Sequence, residues 1–96
     1  MERINYWYSI FEENIPPSTL KIRNMKTRWG VCNIKRKNVT LNLLLSNYDV
    51  KYLDYVIVHE LCHFIYPNHS KEFWNLVKKY CSNYKQIRLE MKKFNI

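Results

Sequence analysis

The sequence predicts an α+β fold in which helices pack on a small sheet, and three observations predict it. Apolar residues recur at three- and four-residue spacing before position 16 and again after position 48, which is the helical period. Between those points they alternate singly, as they do along a strand. The two regimes meet at punctuation: Pro16-Pro17 on one side and Ser46-Asn47-Tyr48-Asp49 on the other. The expected order is a helix, three strands and three helices.

The first helix carries the stripe Ile4, Trp7, Tyr8, Phe11 and Ile15, and the proline pair ends it. Leu20 and Ile22 then oppose Lys21 and Arg23, and Trp29 and Val31 flank Gly30, giving two short strands. Residues 33–38 form a polar turn that carries the basic run Lys35-Arg36-Lys37. A third strand follows over residues 39–45, with its odd positions apolar and Thr40 and Asn42 on the other face. Ser46 and Asp49 have the spacing of a capping box, so a helix is expected over residues 49–65. Val50, Leu53, Ile57, Leu61 and Phe64 line one side of it, and Pro67 stops it. Ser70 caps a further helix striped by Phe73, Leu76, Val77 and Tyr80. After Ser82 a last one carries Tyr84, Ile87, Met91 and Phe94.

Composition bounds the function. The 96 residues suit one domain, 1–96, and 47% hydrophobic content excludes a disordered chain. The apolar runs Leu43 to Leu45 and Tyr55 to Val58 are far short of a membrane span, and no secretory leader is visible. A soluble, cytoplasmic protein without membrane partners is therefore expected. Cys32, Cys62 and Cys81 contain no CxxC pair and read as reduced thiols. The net charge of +8 admits nucleic acid or another anionic partner.

The chemistry concentrates in His59-Glu60-Leu61-Cys62-His63, an HExxH sequence inside the best-supported helix. Four residues advance ~400° around a helix and ~6 Å along it, so both imidazoles share a face and can hold one Zn²⁺. His69 follows Tyr66-Pro67-Asn68, where the chain leaves the helix and can turn back as a third ligand. Should His69 not serve, Glu72 or Glu90 is next. Cys62 points off the His59–His63 line and reads as a buried thiol. Three ligands and an open position mark a catalytic zinc, at which Glu60 serves as general base in hydrolysis. Tyr66, Tyr84 and Arg88 are able to assist as electrophiles, and the sequence does not choose among them. Trp29 and Trp74 are either pocket walls or core.

Lys26-Thr27-Arg28-Trp29-Gly30-Val31-Cys32, Asp54-Tyr55-Val56-Ile57-Val58-His59-Glu60-Leu61-Cys62-His63, Pro67-Asn68-His69-Ser70 and Phe73-Trp74 resemble the signatures of YgjP-like zinc metallopeptidases. The resemblance covers residues 18–90. The chain is also similar to minigluzincins, minimal relatives of thermolysin-type domains. This likeness implies zinc on His59, His63 and His69, Glu60 as base, and peptide or protein substrates. It also implies that Trp29, Gly30 and Val31 lie on the cleft rim and pair with an extended substrate. Minigluzincin-like chains are expected to restrain their activity with the C-terminal segment, here residues 83–96. That segment can occupy its own cleft, cross to a second copy in a homodimer, or simply complete the core. Longer family members carry an extra N-terminal region that this sequence does not show, so their substrate preferences are not transferred.

Two rivals remain at the level of sequence. One is a basic nucleic-acid-binding module, including a DNA-associated SprT-like protease; a steep loss of binding with salt distinguishes it. The other is a metal-dependent phosphoanhydride hydrolase, against which stands the absence of a glycine-rich loop, Gly30 being the only glycine.

Overall fold

The computed structural model describes residues 2–94. Positions 1, 95 and 96 of the expected domain and C-terminal segment lie outside the described residues. The element order is α1 (Glu2–Ile10), β1 (Thr19–Arg23), β2 (Gly30–Asn33), β3 (Asn38–Asn42), a 3-10 turn (Leu43–Asn47), α2 (Val50–Cys62), α3 (Lys71–Tyr80) and α4 (Tyr84–Met91). This is the expected α+β order, with Lys35-Arg36-Lys37 in the turn between β2 and β3.

Several boundaries differ from the expectation. Helix α1 ends at Ile10, before the prolines, and Ile15 reaches the core from the following loop. Strand β3 stops at Asn42, because Asn42 accepts a hydrogen bond from the Leu44 amide and turns the chain into the 3-10 segment. Leu43 is consequently 54% exposed and Leu45 is buried. Ser46 is not a helix cap: its hydroxyl donates to the Leu43 carbonyl, while Asp49 caps α2 through the Lys51 amide. Asn83, not Ser82, precedes α4. Helix α2 ends at Cys62, and residues 63–65 continue only as a turn.

Strand β3 is central in the order β1-β3-β2, parallel to β1 and antiparallel to β2, so β2 is an edge strand. The register aligns Leu20, Val39 and Cys32, and then Ile22, Leu41 and Gly30, on one face. Helix α2 packs on β2 and β3 and also meets α1, α3 and α4. It is therefore covered nearly all round: Tyr55, Val56, Ile57, Val58, Leu61 and Cys62 are all buried, while Val50, at the end of the expected stripe, is exposed. A helix enclosed in this way cannot slide without disrupting the core, which fixes whatever its residues 59–63 present.

Candidate active site

His59 lies in the last turn of α2 and His63 caps its C-terminal end, with ring centroids 5.0 Å apart. The turn after the helix brings His69 back, and its Nε2 lies 3.1 Å from Nε2 of His63. One nitrogen of each of the three rings lies within 4.8 Å of the others. Tetrahedral coordination at Zn–N of about 2.1 Å needs nitrogens ~3.4 Å apart, so the set has the size and chemistry of a three-imidazole metal site.

Local structure orients the rings that could hold a metal. The other nitrogen of His63, Nδ1, lies 3.2 Å from the Tyr66 carbonyl, an arrangement that makes Nδ1 the donor and leaves Nε2 free for a metal. Ser70, next to His69, caps α3 by accepting from the Phe73 amide, which fixes the chain where His69 leaves it. Phe73 is fully buried and backs the cluster, stacking on His63 at 4.5 Å and standing 5.1 Å and 5.0 Å from the rings of His59 and His69. Burial, followed by the charge of the neighbouring His59, lowers the His63 pKa against the pull of Glu60. Burial and then the other two imidazoles lower that of His69. Both shifts favour the neutral ring that a metal requires.

Glu60 is 5% exposed, and its Oε2 lies 3.2 Å from Nδ1 of His59. It faces β2. A methyl group on Gly30 would stand 2.7 Å from Cγ1 of Val56 and 3.1 Å from Oε2 of Glu60, so only glycine lets this strand lie so close to the carboxylate. Two adjoining cavities, of about 410 and 270 Å³, share Arg28, Gly30, His59 and Glu60 in their walls. The cleft thus runs past Glu60 along the edge strand.

Of the residues singled out in the sequence, Trp29 and Gly30 line the larger cavity and Gly30 and Val31 the smaller. Trp74 stands 5.7 Å from His59 and 5.6 Å from His69 and stacks on Tyr84. Arg88 reaches the cleft wall, whereas Tyr84 is buried behind Trp74 and Tyr66 contributes its carbonyl. Cys62 is fully buried, as expected.

Three positions named in the sequence were given no place at the site. Tyr55, one turn before His59 on α2, lines the larger cavity, and its pKa is raised by burial against the opposing charge of Arg88. Cys32 lines the smaller cavity, and burial and then the nearby Glu60 push its thiol up to about 12. Buried Asn42 donates to the carbonyls of Met25 and Arg28, at 2.9 and 2.8 Å, and its own amide donates to that of Trp29. Asn42 thereby sets the loop that leads into Gly30. The helical spacing from His59 was a usable signal for Tyr55; nothing in the pattern distinguished Asn42.

Comparison with known proteins places this arrangement. The family profile described as YgjP-like, metallopeptidase domain, matches residues 1–94. The chain belongs to that family. It is therefore a metallopeptidase, which acts on peptide or protein substrates and uses a metal. Uncharacterized protein MJ0123 of Methanocaldococcus jannaschii is 33% identical over 76 residues, 76% of this chain and 69% of that one. In three dimensions the chain resembles the metallopeptidase zymogen of Pyrococcus abyssi abylysin, with a TM-score of 0.83 at 24% identity over 97% of this chain and 92% of that one. It also resembles the metallopeptidase zymogen of Methanocaldococcus jannaschii jannalysin, with a TM-score of 0.76 at 26% identity, covering 96% and 92%. The resemblance drawn from the motifs is borne out at the level of family and fold. No described helix is long and apolar enough to cross a membrane.

Proposed function

We propose that the chain, acting as one catalytic domain, hydrolyses peptide bonds with a zinc ion held by His59, His63 and His69 and with Glu60 as general base. The observation that carries this reading is the convergence of three imidazole nitrogens within 4.8 Å beside a buried carboxylate. Zinc bound there would activate a water molecule and polarise the scissile carbonyl. Glu60 takes the proton of the attacking water and delivers it to the leaving amine, a transfer for which its fixed position on α2 suits it. An extended substrate lies along Trp29, Gly30 and Val31, where edge strand β2 offers main-chain hydrogen bonds. The ligand set is tested by metal analysis. Wild type should carry one zinc per chain and His69→Ala markedly less; full occupancy in the variant would overturn the three-histidine set, and Glu90, named as an alternative from the sequence, is engaged instead by Tyr52, Gln86 and Lys51.

A second reading, latency, is favoured by α4 and the residues that follow it. Met91, Lys92 and Phe94 wall the larger cavity beside His59 and Glu60. Phe94 stacks on Tyr48 at 4.0 Å and meets Trp29 edge to face at 5.9 Å. Two structural neighbours are themselves zymogens. Yet Tyr84, Ile87 and Met91 are buried, so α4 also completes the core, and truncation after Tyr80 would remove all three side chains from it. Ending the chain after Met91 keeps those three side chains. Greater peptidase activity in that shorter chain supports restraint by its own cleft wall, and unchanged activity removes it. Activity of wild type that falls with concentration as dimers form would instead favour the crossing to a second copy.

A further inference from the structure

We propose that the cleft selects acidic polypeptide segments, with a Glu or Asp side chain of the substrate seated between Arg28, Arg88 and Lys92. This rests on the peptidase reading above and names its substrate class. The cavity of about 410 Å³ beside His59 and Glu60 has those three cations on its wall, and among the described residues Glu60 is the only acidic side chain lining it. The remaining surface, including Val56 and Met91, is largely apolar. Apolar walls with a few convergent cations fit a carboxylate carried on a short aliphatic stem. Among the described residues none of the three cations forms a salt bridge. Arg88 is held 4.5 Å above the Trp74 ring, a contact that orients the guanidinium without neutralising it.

The distribution of charge points the same way. Residues 14–48 contain Lys21, Arg23, Lys26, Arg28, Lys35, Arg36 and Lys37 and no Asp or Glu. Seven of the eight net positive charges therefore lie on the sheet and its loops, with the remaining nine cations nearly balanced by eight acids. Lys21 and Arg23 lie on β1 at the far edge of the sheet, and the other five flank β2 in the loops at its two ends. Arg28 precedes β2 and the 35–37 turn follows it. A four-residue strand spans about 13 Å, so a peptide paired with β2 has cations near both ends as well as in the cavity. A lysine side chain placed there would meet like charges on several sides, a rejection that adds to the attraction of a carboxylate. Nucleic acid would also be attracted by this charge, but a cavity of about 410 Å³ beside His59 and Glu60, walled largely by apolar side chains, suits a side chain better than a phosphate backbone.

The experiment uses full-length Glu60→Gln protein loaded with zinc, so that bound peptide is not cut, and two fluorescent peptides that differ only by Glu against Gln at alternate positions. The Glu peptide should bind about tenfold more tightly at low ionic strength, with the difference shrinking as salt is added. Combined Arg88→Gln and Lys92→Gln, both at exposed positions, should remove most of that preference. Equal binding of the two peptides, or an unchanged preference in the double variant, overturns the proposal. So does a DNA duplex that binds tightly while the peptides do not differ. Wild-type digestion of an unfolded protein separates the two levels of inference. Cleavage without acidic bias near the cut sites overturns the selectivity alone, whereas neither cleavage nor peptide binding, by the full-length chain and equally by the chain that ends at Met91, overturns the peptidase reading with it.

Discussion

Gly30 lets β2 lie close against Val56 and Glu60 of α2, and its missing side chain is what permits the approach. Substitution by Ala would put a methyl group 2.7 Å from Val56 and 3.1 Å from Glu60, forcing β2 or the carboxylate to move. Gly30→Ala should cost about 1–3 kcal/mol in stability by overpacking, and should lower kcat further than the altered melting temperature explains. A thermal melt beside a peptidase assay checks this; an unchanged melt with full activity would mean that the contact relaxes freely. At this scale the pairing of His59 with His63 was legible, because four-residue spacing on a helix determines direction before any tertiary contact forms. His69 was legible from the break at Pro67. Asn42 was not, since strand alternation assigned it an outward face and a loop folds back over that face to accept its hydrogen bonds. Phe73 was visible as a core residue, but its position behind three imidazoles arises only when α3 packs against α2.

Between elements, the loop after α1 is clasped to the end of α3. Phe11 stacks on Tyr80 at 4.1 Å, the Tyr80 hydroxyl and Lys79 donate to the Glu13 carboxylate, and the Glu12 amide donates to Tyr80. Burial alone would raise the Glu13 pKa, but the hydrogen bonds from Lys79 and Tyr80 outweigh it and the net shift is downward. The folded state therefore favours the carboxylate more than the unfolded chain does. Its contribution is complete above the unfolded value of about 4.3 and is lost as pH falls through the lower folded value. Glu13→Gln should flatten the acid limb of a stability–pH curve relative to wild type, and identical limbs would mean that the clasp adds nothing. Element order and type were readable from periodicity, whereas ends were not. Two competing caps lay three residues apart, and the 3-10 turn gave α2 to Asp49 by engaging Ser46 in its own backbone. The all-round burial of α2 was likewise hidden, because a stripe reports one partner and this helix has several.

The whole molecule places one enclosed helix between a basic sheet and three other helices, and aligns its histidines and Glu60 with a free strand edge. The family, the fold and the ligand geometry agree on a metallopeptidase, and the motif already pointed there because its chemistry is local. The concentration of charge on the sheet layer was in the sequence too, but it acquires meaning only once β2 is known to be the edge beside the cleft. Appearance of new N-termini in an unfolded protein substrate tests the central claim most directly, comparing zinc-loaded wild type with Glu60→Gln and including the chain that ends at Met91 in both forms. Cleavage should occur with Glu60 and fall by about 10²–10⁴-fold with Gln at equal zinc content, the loss expected for removal of a general base. Equal turnover with Gln at position 60, or no cleavage by either form that retains Glu60, would contradict the account.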